Sequence, residues 1–195
     1  PTFNRGNDLI ECIQSIRNQN YTNYQIVIID NNSQDDTRSL LNNYYSDLQL
    51  IHLDSNQGAS TATNIGINYA LSKNAELILR LDSDTIVDNS YLEMLVDVLV
   101  NTKNAGIASG KILSFDNPEE IWFTGGFLKK WNLGATYINR QNNIYDFGNS
   151  VIEVDLLPST GMLITREAIE LTNGFDEDFL VYYEDFDFCL RVKKN

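Results

Sequence analysis

Histidine, cysteine and proline are scarce in this sequence, which has one histidine, two cysteines and three prolines among 195 residues. No Cys/His pair has the spacing of zinc ligands, and the only histidine is His52, which argues against a zinc site. Cys12 and Cys189 lie far apart within amphipathic segments, a pattern typical of reduced core thiols in a cytosolic protein. The sequence therefore favours neither a zinc site nor a disulfide framework.

Long apolar runs and positive charge are lacking as well. No run approaches the roughly 20 apolar residues that span a bilayer, and no segment has the pattern of a signal peptide. Fourteen Lys and Arg stand against 27 Asp and Glu, which gives a formal charge of -13. This balance argues against a nucleic acid or an anionic membrane surface as the main partner. An anionic ligand would need a cation bound locally.

Apolar runs alternate with amphipathic helical patterns through the first half of the chain. The length suits one domain, and a hydrophobic fraction of 43% is that of an ordinary globular protein. We predict strands and helices in the order of a parallel sheet covered by helices, an α/β fold. The predicted strands are residues 24–30, 48–53 and 76–81, and helices lie before, between and after them, the last at 89–101.

Polar side chains follow each of these predicted strands. Asp30 ends the first strand, Asn56 follows the second, and Asp82 and Asp84 follow the third. Ligands of parallel α/β sheets bind beyond the carboxyl ends of the strands. The sequence therefore predicts a binding site at this edge of the sheet.

The second half has a different pattern, with shorter apolar segments and no regular alternation with helices. We predict four strands, two helices and, between the second and third strands, a loop or hairpin insertion at 129–150. The strands are residues 105–113, 121–128, 151–157 and 160–165, and the helices are residues 166–172 and 184–191.

Asp82 and Asp84 leave several interpretations open. They fit a solvated turn, or a site for a hard divalent ion that bridges to a phosphate. An EF-hand is disfavoured because its glycine position holds Val87. A phosphatase of the haloacid-dehalogenase type would use Asp82 as its nucleophile, but its motif continues Gly-Thr on the first strand of the domain, whereas Thr85-Ile86 follows here, after three helical segments.

Glu184 and Asp185 open the last predicted helix. Acidic residues at a helix N-terminus commonly serve only to complement the helix dipole, by about 0.3–1 kcal/mol each. Aromatic residues surround these two in the sequence, however, so that one carboxylate is a candidate for partial desolvation and a raised pKa. A raised pKa suits a general base.

Five motifs occur in the order and spacing of glycosyltransferase family 2, and the sequence resembles that family over nearly its whole length. They are Pro1-Thr-Phe-Asn-Arg5, Ile29-Asp-Asn-Asn-Ser33, Asn56-Gln-Gly58 with Asn64-Ile-Gly66, Leu81-Asp-Ser-Asp84 and Tyr183-Glu-Asp185. The segment Gly174-Phe-Asp-Glu-Asp-Phe179 is similar to the bacterial rhamnosyltransferase-like branch. The resemblance implies an inverting sugar-nucleotide transferase of the GT-A type, with a mostly parallel central sheet flanked by helices.

The resemblance also implies site residues. Asp185 would be the catalytic base, with Glu184 the second choice, and Asp84 would bind Mg²⁺ or Mn²⁺. The nucleotide-binding residues would be Pro1, Phe3 against the base, Asp30 on the imide N–H of uracil or thymine, Asn56, Gly58, and Asp82 on the ribose.

A single domain over residues 1–195 follows, with a nucleotide-binding half at 1–101 and an acceptor-side half at 102–195. By resemblance, the family's first strand before Pro1 and its C-terminal part are missing. The expected partners are a UDP- or dTDP-sugar donor and a glycan or lipid-linked glycan acceptor of cell-surface polysaccharide synthesis. The expected place is the cytoplasm at the inner face of the membrane, with peripheral association through the missing segments. A phosphatase and a non-catalytic sugar-nucleotide-binding remnant remain the alternatives.

Overall fold

The computed structural model describes residues 1–129, 135–138, 150–179 and 182–194. In its first half, helices and strands alternate as the sequence predicts, although each strand is shorter than its apolar run. The elements are α1 (Gly6–Arg17), β1 (Val27–Asp30), α2 (Thr37–Tyr44), β2 (Gln49–His52), α3 (Gly58–Ser72), β3 (Leu77–Arg80) and α4 (Tyr91–Asn101). No helix in the described ranges is long and apolar enough to cross a membrane.

The second half is built of short strands followed by two helices. Its elements are β4 (Ile107–Ala108), β5 (Ile112–Leu113), β6 (Ile121–Phe123), β7 (Gly126–Leu128), β8 (Ala135–Tyr137), β9 (Met162–Thr165), α5 (Arg166–Thr172) and α6 (Glu184–Lys194). The two helices and the last strand agree with the predictions from sequence.

Strand direction is where the sheet departs from the expected parallel arrangement. β1 and β2 are parallel, with Asp30 opposite His52. β9 lies between β3 and β4 and is antiparallel to both. Three of its four residues, Met162 to Ile164, are almost completely buried, and an apolar strand buried on both faces has the same sequence pattern in either direction.

Two of the predicted strands in the second half are broken, and one does not form. Gly125, with φ of +140°, separates β6 from β7. Within the described segment 151–157, only Leu156 makes a bridge, to Gly126. Both Asp155 and Leu156 donate to the Gly126 carbonyl, so the ladder stops there. Within the predicted loop or hairpin insertion at 129–150, β8 pairs with β7, while 130–134 and 139–149 lie outside the described residues.

Two of the four apolar clusters in the described residues fix the helices nearest the candidate site. In one, the rings of Phe175 and Phe188 stack at 4.5 Å and join α6 to α3 and β9. In the other, α1 and α2 cover β1 through Ile13, Ile28 and Leu41. Phe188 is completely buried, and truncation of such a ring typically costs about 3–5 kcal/mol. The start of α6 is thereby fixed relative to the strands.

A cavity of about 610 Å³ lies between β1 and β3, lined by residues of both strands and by Pro1. Thr2, the next residue, is hydrogen-bonded to the end of β1. Its N–H donates to the Ile29 carbonyl (2.9 Å), and its carbonyl accepts from Asn31 N–H (2.9 Å). These bonds form a parallel bridge to Asp30, at the edge of β1 away from β2.

Candidate active site

Asp30, at the end of β1, has no exposed surface. Its Oδ1 accepts from Ser33 N–H (2.9 Å), and its Oδ2 lies 3.2 Å from Arg38 Nε and 3.0 Å from His52 Nδ1. Burial works to raise the pKa of Asp30, but the hydrogen bonds from Ser33, His52 and Arg38 outweigh it and lower the pKa. Contact with a nucleotide base would require this carboxylate to become exposed.

The loops after β1 and β2 are joined by two asparagines. Asn31 Nδ2 donates to Asn56 Oδ1 (3.0 Å) and to the Gly58 carbonyl (3.1 Å), and Asn31 Oδ1 accepts from Gln57 N–H (2.8 Å). Asn56 Oδ1 also accepts from Gly58 N–H (3.0 Å). Gly58 has φ of +83°, a conformation that glycine adopts without strain at the start of α3. Asn56 and Gly58 therefore fix the conformation of the loop after β2, at the edge of the sheet where β1 ends.

Phe3 lies beside this edge with 42% of its surface exposed. The backbone on either side of it is fixed. Thr2 pairs with β1, while Asn4 N–H donates to Ser33 Oγ (3.0 Å) and Asn4 Oδ1 accepts from Gln34 N–H (2.7 Å). The ring is therefore held at the ends of the strands with an accessible face, as stacking against a planar base would require.

Asp82 and Asp84 follow β3, and each contacts an arginine. Asp82 Oδ1 lies 2.8 Å from Nη1 of Arg80, and Asp84 Oδ2 lies 3.2 Å from Nη1 of Arg5. The Arg80 side chain is 6% exposed, while those of Asp82 and Asp84 are 42% and 47% exposed. Although the Arg80–Asp82 contact is short, its angles are not those of a hydrogen bond. Nε and Nη1 of Arg80 have no hydrogen-bond partner within the described residues. We refer to Asp30, Asp82 and Asp84 as the strand-end carboxylates.

The chemistry of Asp84 fits a hard divalent cation. Its carboxylate oxygens are of the type that Mg²⁺ prefers, and they are accessible. In the described part of the chain, no three His, Cys, Asp or Glu side chains converge as a metal cage. Mg²⁺ often uses only one or two carboxylates together with water and substrate phosphates. A cation at Asp84 would therefore depend on the phosphates of a bound ligand.

Glu184 and Asp185 begin α6 in a half-buried position, and we refer to them as the helix-start carboxylates. Asp185 accepts from Ser159 N–H (3.2 Å) and from Phe186 N–H (2.8 Å). Burial raises the pKa of Asp185. Burial and the charge of Asp185 raise the pKa of Glu184, whose Oε2 is buried without a hydrogen-bond partner in the described ranges. Both groups have the raised pKa expected of a general base.

The turn before β9 connects the two acidic groups. Ser159 contacts Asp185 through its N–H, and Thr160 Oγ1 accepts from Asp82 N–H (3.3 Å). Thr160 Oγ1 also lies 2.8 Å from Thr85 Oγ1, and Gly161 N–H donates to the Arg80 carbonyl (2.9 Å). The structure thus brings the third strand end and the start of α6 to one place, with Arg80 close enough to act electrostatically on Glu184 and Asp185.

The sequence predicts no role for several of these residues: Arg5, which ends the first motif, and Arg38, His52, Arg80 and the turn 159–161. A signal existed for His52, because it ends β2 and the parallel register puts it opposite Asp30. Arg80 could have been noticed as a charge inside an apolar strand. The turn 159–161 carries no acidic or basic residue, so its contacts with both acidic groups appear only in three dimensions.

Comparison with known sequences identifies relatives for most of the chain. The sequence model described as glycosyl transferase family 2 matches residues 1–170. The "dTDP-rhamnosyl transferase RfbF" of Shigella flexneri is 28% identical over 136 residues, 70% of this chain and 43% of that protein. "Glycosyltransferase GlyG" of Streptococcus pneumoniae serotype 4 is 29% identical over 190 residues, 91% of this chain and 60% of that protein. The chain thus spans about half the length of these curated relatives.

A solved structure supports the same assignment at the level of fold. The mannosyltransferase PcManGT from Pyrobaculum calidifontis, in complex with GDP-Man and Mn²⁺, aligns with a TM-score of 0.68 at 18% identity. The alignment covers 98% of this chain and 50% of that chain. The architecture is that of the GT-A fold, as the resemblance implied.

Proposed function

This chain belongs to glycosyl transferase family 2, and we propose that it transfers a sugar from a UDP- or dTDP-sugar to a hydroxyl group of a glycan or lipid-linked glycan, with inversion. The observation that carries the proposal is the connection of the exposed carboxylates after β3, Asp82 and Asp84, to the half-buried helix-start carboxylates through the turn 159–161. The name of the Shigella relative supports a dTDP-linked donor. Action at the cytoplasmic face of the membrane, in cell-surface polysaccharide synthesis, is part of the proposal.

The donor would lie across the strand ends. Phe3 would stack on the base beside Pro1, and Asp82 would accept from a ribose hydroxyl. Asn56 and Gly58 would shape the loop that borders the nucleotide. Asp30 would act indirectly, because its contacts with Ser33, Arg38 and His52 fix the loop after β1.

Asp84 would hold Mg²⁺ or Mn²⁺, which when bound neutralises charge on the donor diphosphate. The Mn²⁺ of the Pyrobaculum complex supports the type of ion. Arg5 contacts both Asp8 and Asp84 at present. It is half exposed, and exposed ion pairs contribute at most about 1 kcal/mol, so its contact with Asp84 would yield readily to a stronger cation.

Asp185 would accept the proton of the acceptor hydroxyl as its oxygen bonds to the anomeric carbon. The bond from that carbon to the diphosphate oxygen breaks in the same displacement, and the nucleoside diphosphate leaves from the opposite face. The two backbone N–H groups that bind Asp185 orient its carboxylate. General-base assistance of this kind contributes about 10²–10⁴-fold to the rate.

The proposal is tested by following nucleoside diphosphate release and product formation with UDP- and dTDP-sugars, Mn²⁺ and hydroxyl acceptors. We expect Asp185→Asn to retain donor binding and to lower transfer by about 10²–10⁴-fold. The pKa of Asp185 is raised. As the pH is lowered, the transfer rate of the wild type should therefore begin to fall at a pH above about 4, the ordinary pKa of Asp.

Glu184→Gln is the matched control, because it changes the neighbouring carboxylate by the same chemistry. Near-normal transfer by Asp185→Asn, with loss of transfer by Glu184→Gln, would assign the base to Glu184 instead. Donor binding without transfer in the wild type would favour the non-catalytic remnant. Phosphate release from aryl phosphates, lost in Asp82→Asn, would favour the phosphatase, which membership of family 2 does not support.

A further inference from the structure

Three aromatic rings pack around the ring of Phe186, next to the helix-start carboxylates. The Phe186 ring centroid lies 6.5 Å from that of Phe123, 6.4 Å from that of Tyr137 and 6.1 Å from that of Tyr183. Phe123 and Tyr137 meet edge to face at 5.4 Å. The rings come from β6, β8 and the start of α6. We call these four residues the aromatic platform.

The aromatic platform is exposed and yet held in place. Tyr183 is 66% exposed and Tyr137 is 37% exposed. Tyr183 has φ of +68°, a left-handed conformation that costs a non-glycine residue about 1–3 kcal/mol and that clusters at functional sites. Tyr137 lies against Gly126, where a Cβ atom would approach its ring to 3.1 Å. The surrounding backbone therefore fixes these rings at the surface.

The aromatic platform is continuous with the carboxylates that the proposed reaction uses. Tyr183 immediately precedes Glu184, and Phe186 follows Asp185 and donates its N–H to Asp185 Oδ1 (2.8 Å). A ligand whose hydroxyl group contacts Asp185 would therefore lie close to Tyr183 and Phe186. The surface thus borders the place where an acceptor must lie.

We propose that the aromatic platform binds the sugar rings of a neutral glycan acceptor, an inference that rests on the proposed transferase function. A pyranose ring has an apolar C–H face, which packs on an aromatic ring, and a polar rim, which reaches carboxylates and water. Glu184, Asp185 and Asp187 lie beside the rings, and the chain carries a formal charge of -13. This charge disfavours an anionic acceptor.

Saturation-transfer-difference NMR tests the proposal without transfer chemistry. The probes are the methyl glycosides of glucose, rhamnose and N-acetylglucosamine, with methyl glucuronide as the anionic counterpart and octyl glucoside to report on an alkyl chain. We expect saturation of the C–H protons of at least one neutral ring, about 3- to 10-fold weaker binding in Tyr137→Ala and Tyr183→Ala, and little change in the matching Tyr→Phe variants. Tyr44→Ala, at a similarly exposed tyrosine on α2, is the control.

Three results would overturn the inference: equal binding by the Ala variants, preferred binding of the glucuronide, or saturation confined to the octyl chain. Thermal melting of each variant separates a loss of binding from a loss of fold. With an active wild type, the Ala variants should raise the acceptor KM by about 3- to 10-fold and leave the donor KM unchanged. An unchanged acceptor KM in the Ala variants would refute only the proposed role of the aromatic platform. A wild type that binds the glycosides but transfers no sugar would refute only the proposed function.

Discussion

The strand-end and helix-start carboxylates differ in their neighbours. Each strand-end carboxylate contacts an arginine: Asp30 contacts Arg38, Asp82 contacts Arg80, and Asp84 contacts Arg5. The contacts recorded for Asp185 are backbone N–H groups, and Glu184 has a buried oxygen without a hydrogen bond in the described ranges. The strand-end carboxylates thus lie next to positively charged side chains. The helix-start carboxylates lie where partial burial raises their pKa.

This difference matches two kinds of chemistry. A carboxylate that binds a cation or a ribose must stay ionised, and a neighbouring positive charge favours the ionised form. A carboxylate that accepts a proton needs a pKa closer to the working pH, and partial burial supplies it. The same residue type therefore suits both tasks because the fold gives it two environments.

Among the substitutions that test this comparison, the largest effect is expected on donor binding, at Asp84. Asp84→Asn should weaken Mn²⁺-dependent donor binding by at least about 100-fold, since even indirect partners of metal ligands contribute about 10- to 100-fold to affinity. Isothermal titration of UDP and dTDP with and without Mn²⁺ measures it. Asp47→Asn is the matched control, because Asp47 is also an exposed carboxylate paired with an arginine, Arg17, but lies before β2 rather than after a strand. Equal Mn²⁺ dependence in the two variants would remove Asp84 from the metal site.

A smaller effect, on stability, is expected at Asp30. Asp30→Asn weakens the charge-assisted contacts of a buried carboxylate with Arg38 and His52, which are themselves partly exposed. Such a loss costs about 2 kcal/mol, so the Tm should fall by about 4–8 °C for a chain of this size. The pKa of Asp30 is lowered, so the stabilisation is present at neutral pH and is lost as the pH falls through the folded-state pKa. The difference between wild type and variant in thermal melts should therefore shrink in acid.

Asp35→Asn is the control for Asp30, because Asp35 is exposed in the same loop and its Oδ1 accepts from Thr37 N–H, which an amide oxygen can replace. A Tm loss at Asp30 no greater than at Asp35 would show that the side-chain contacts of Asp30 do not hold the loop after β1.

The first half of the fold was predictable from the sequence because local patterns determine it. Each helix has a spacing of apolar residues that its own neighbours establish, and each strand ends at a polar residue. The second half was less predictable. The break at Gly125 and the lone bridge of Leu156 depend on which strands meet, and the direction of β9 depends on its partners β3 and β4 rather than on its own residues.

The candidate site was predictable for its acidic residues and not for its arginines. Asp82, Asp84 and Asp185 belong to motifs that can be read along the chain. Arg5 reaches Asp84 across 79 positions of sequence, through the geometry of α1 and the turn after β3. Burial, which raises the pKa of Glu184, arises from tertiary packing and has no counterpart in the local sequence.

The smallest effect, a gain in stability, is expected at Glu184. Its pKa is raised by burial, so the folded state resists ionisation of Glu184 at neutral pH more than the unfolded chain does. Glu184→Gln removes this cost and should raise the Tm at neutral pH, by less than the loss expected for Asp30→Asn. Below about pH 4, where Glu184 is protonated in both states, the gain should disappear.

Thermal melts of wild type and Glu184→Gln between pH 4 and pH 8 measure this difference, and Glu93→Gln, an exposed glutamate in the first turn of α4, serves as the control. A gain in Tm that rises with pH for Glu184→Gln and not for Glu93→Gln would establish that ionisation of this helix-start carboxylate lowers the stability of the fold. A loss of stability at Glu184, independent of pH, would mean that this carboxylate is stabilised in its charged form like the strand-end set. The contrast between the two sets would then have to rest on Asp185 alone.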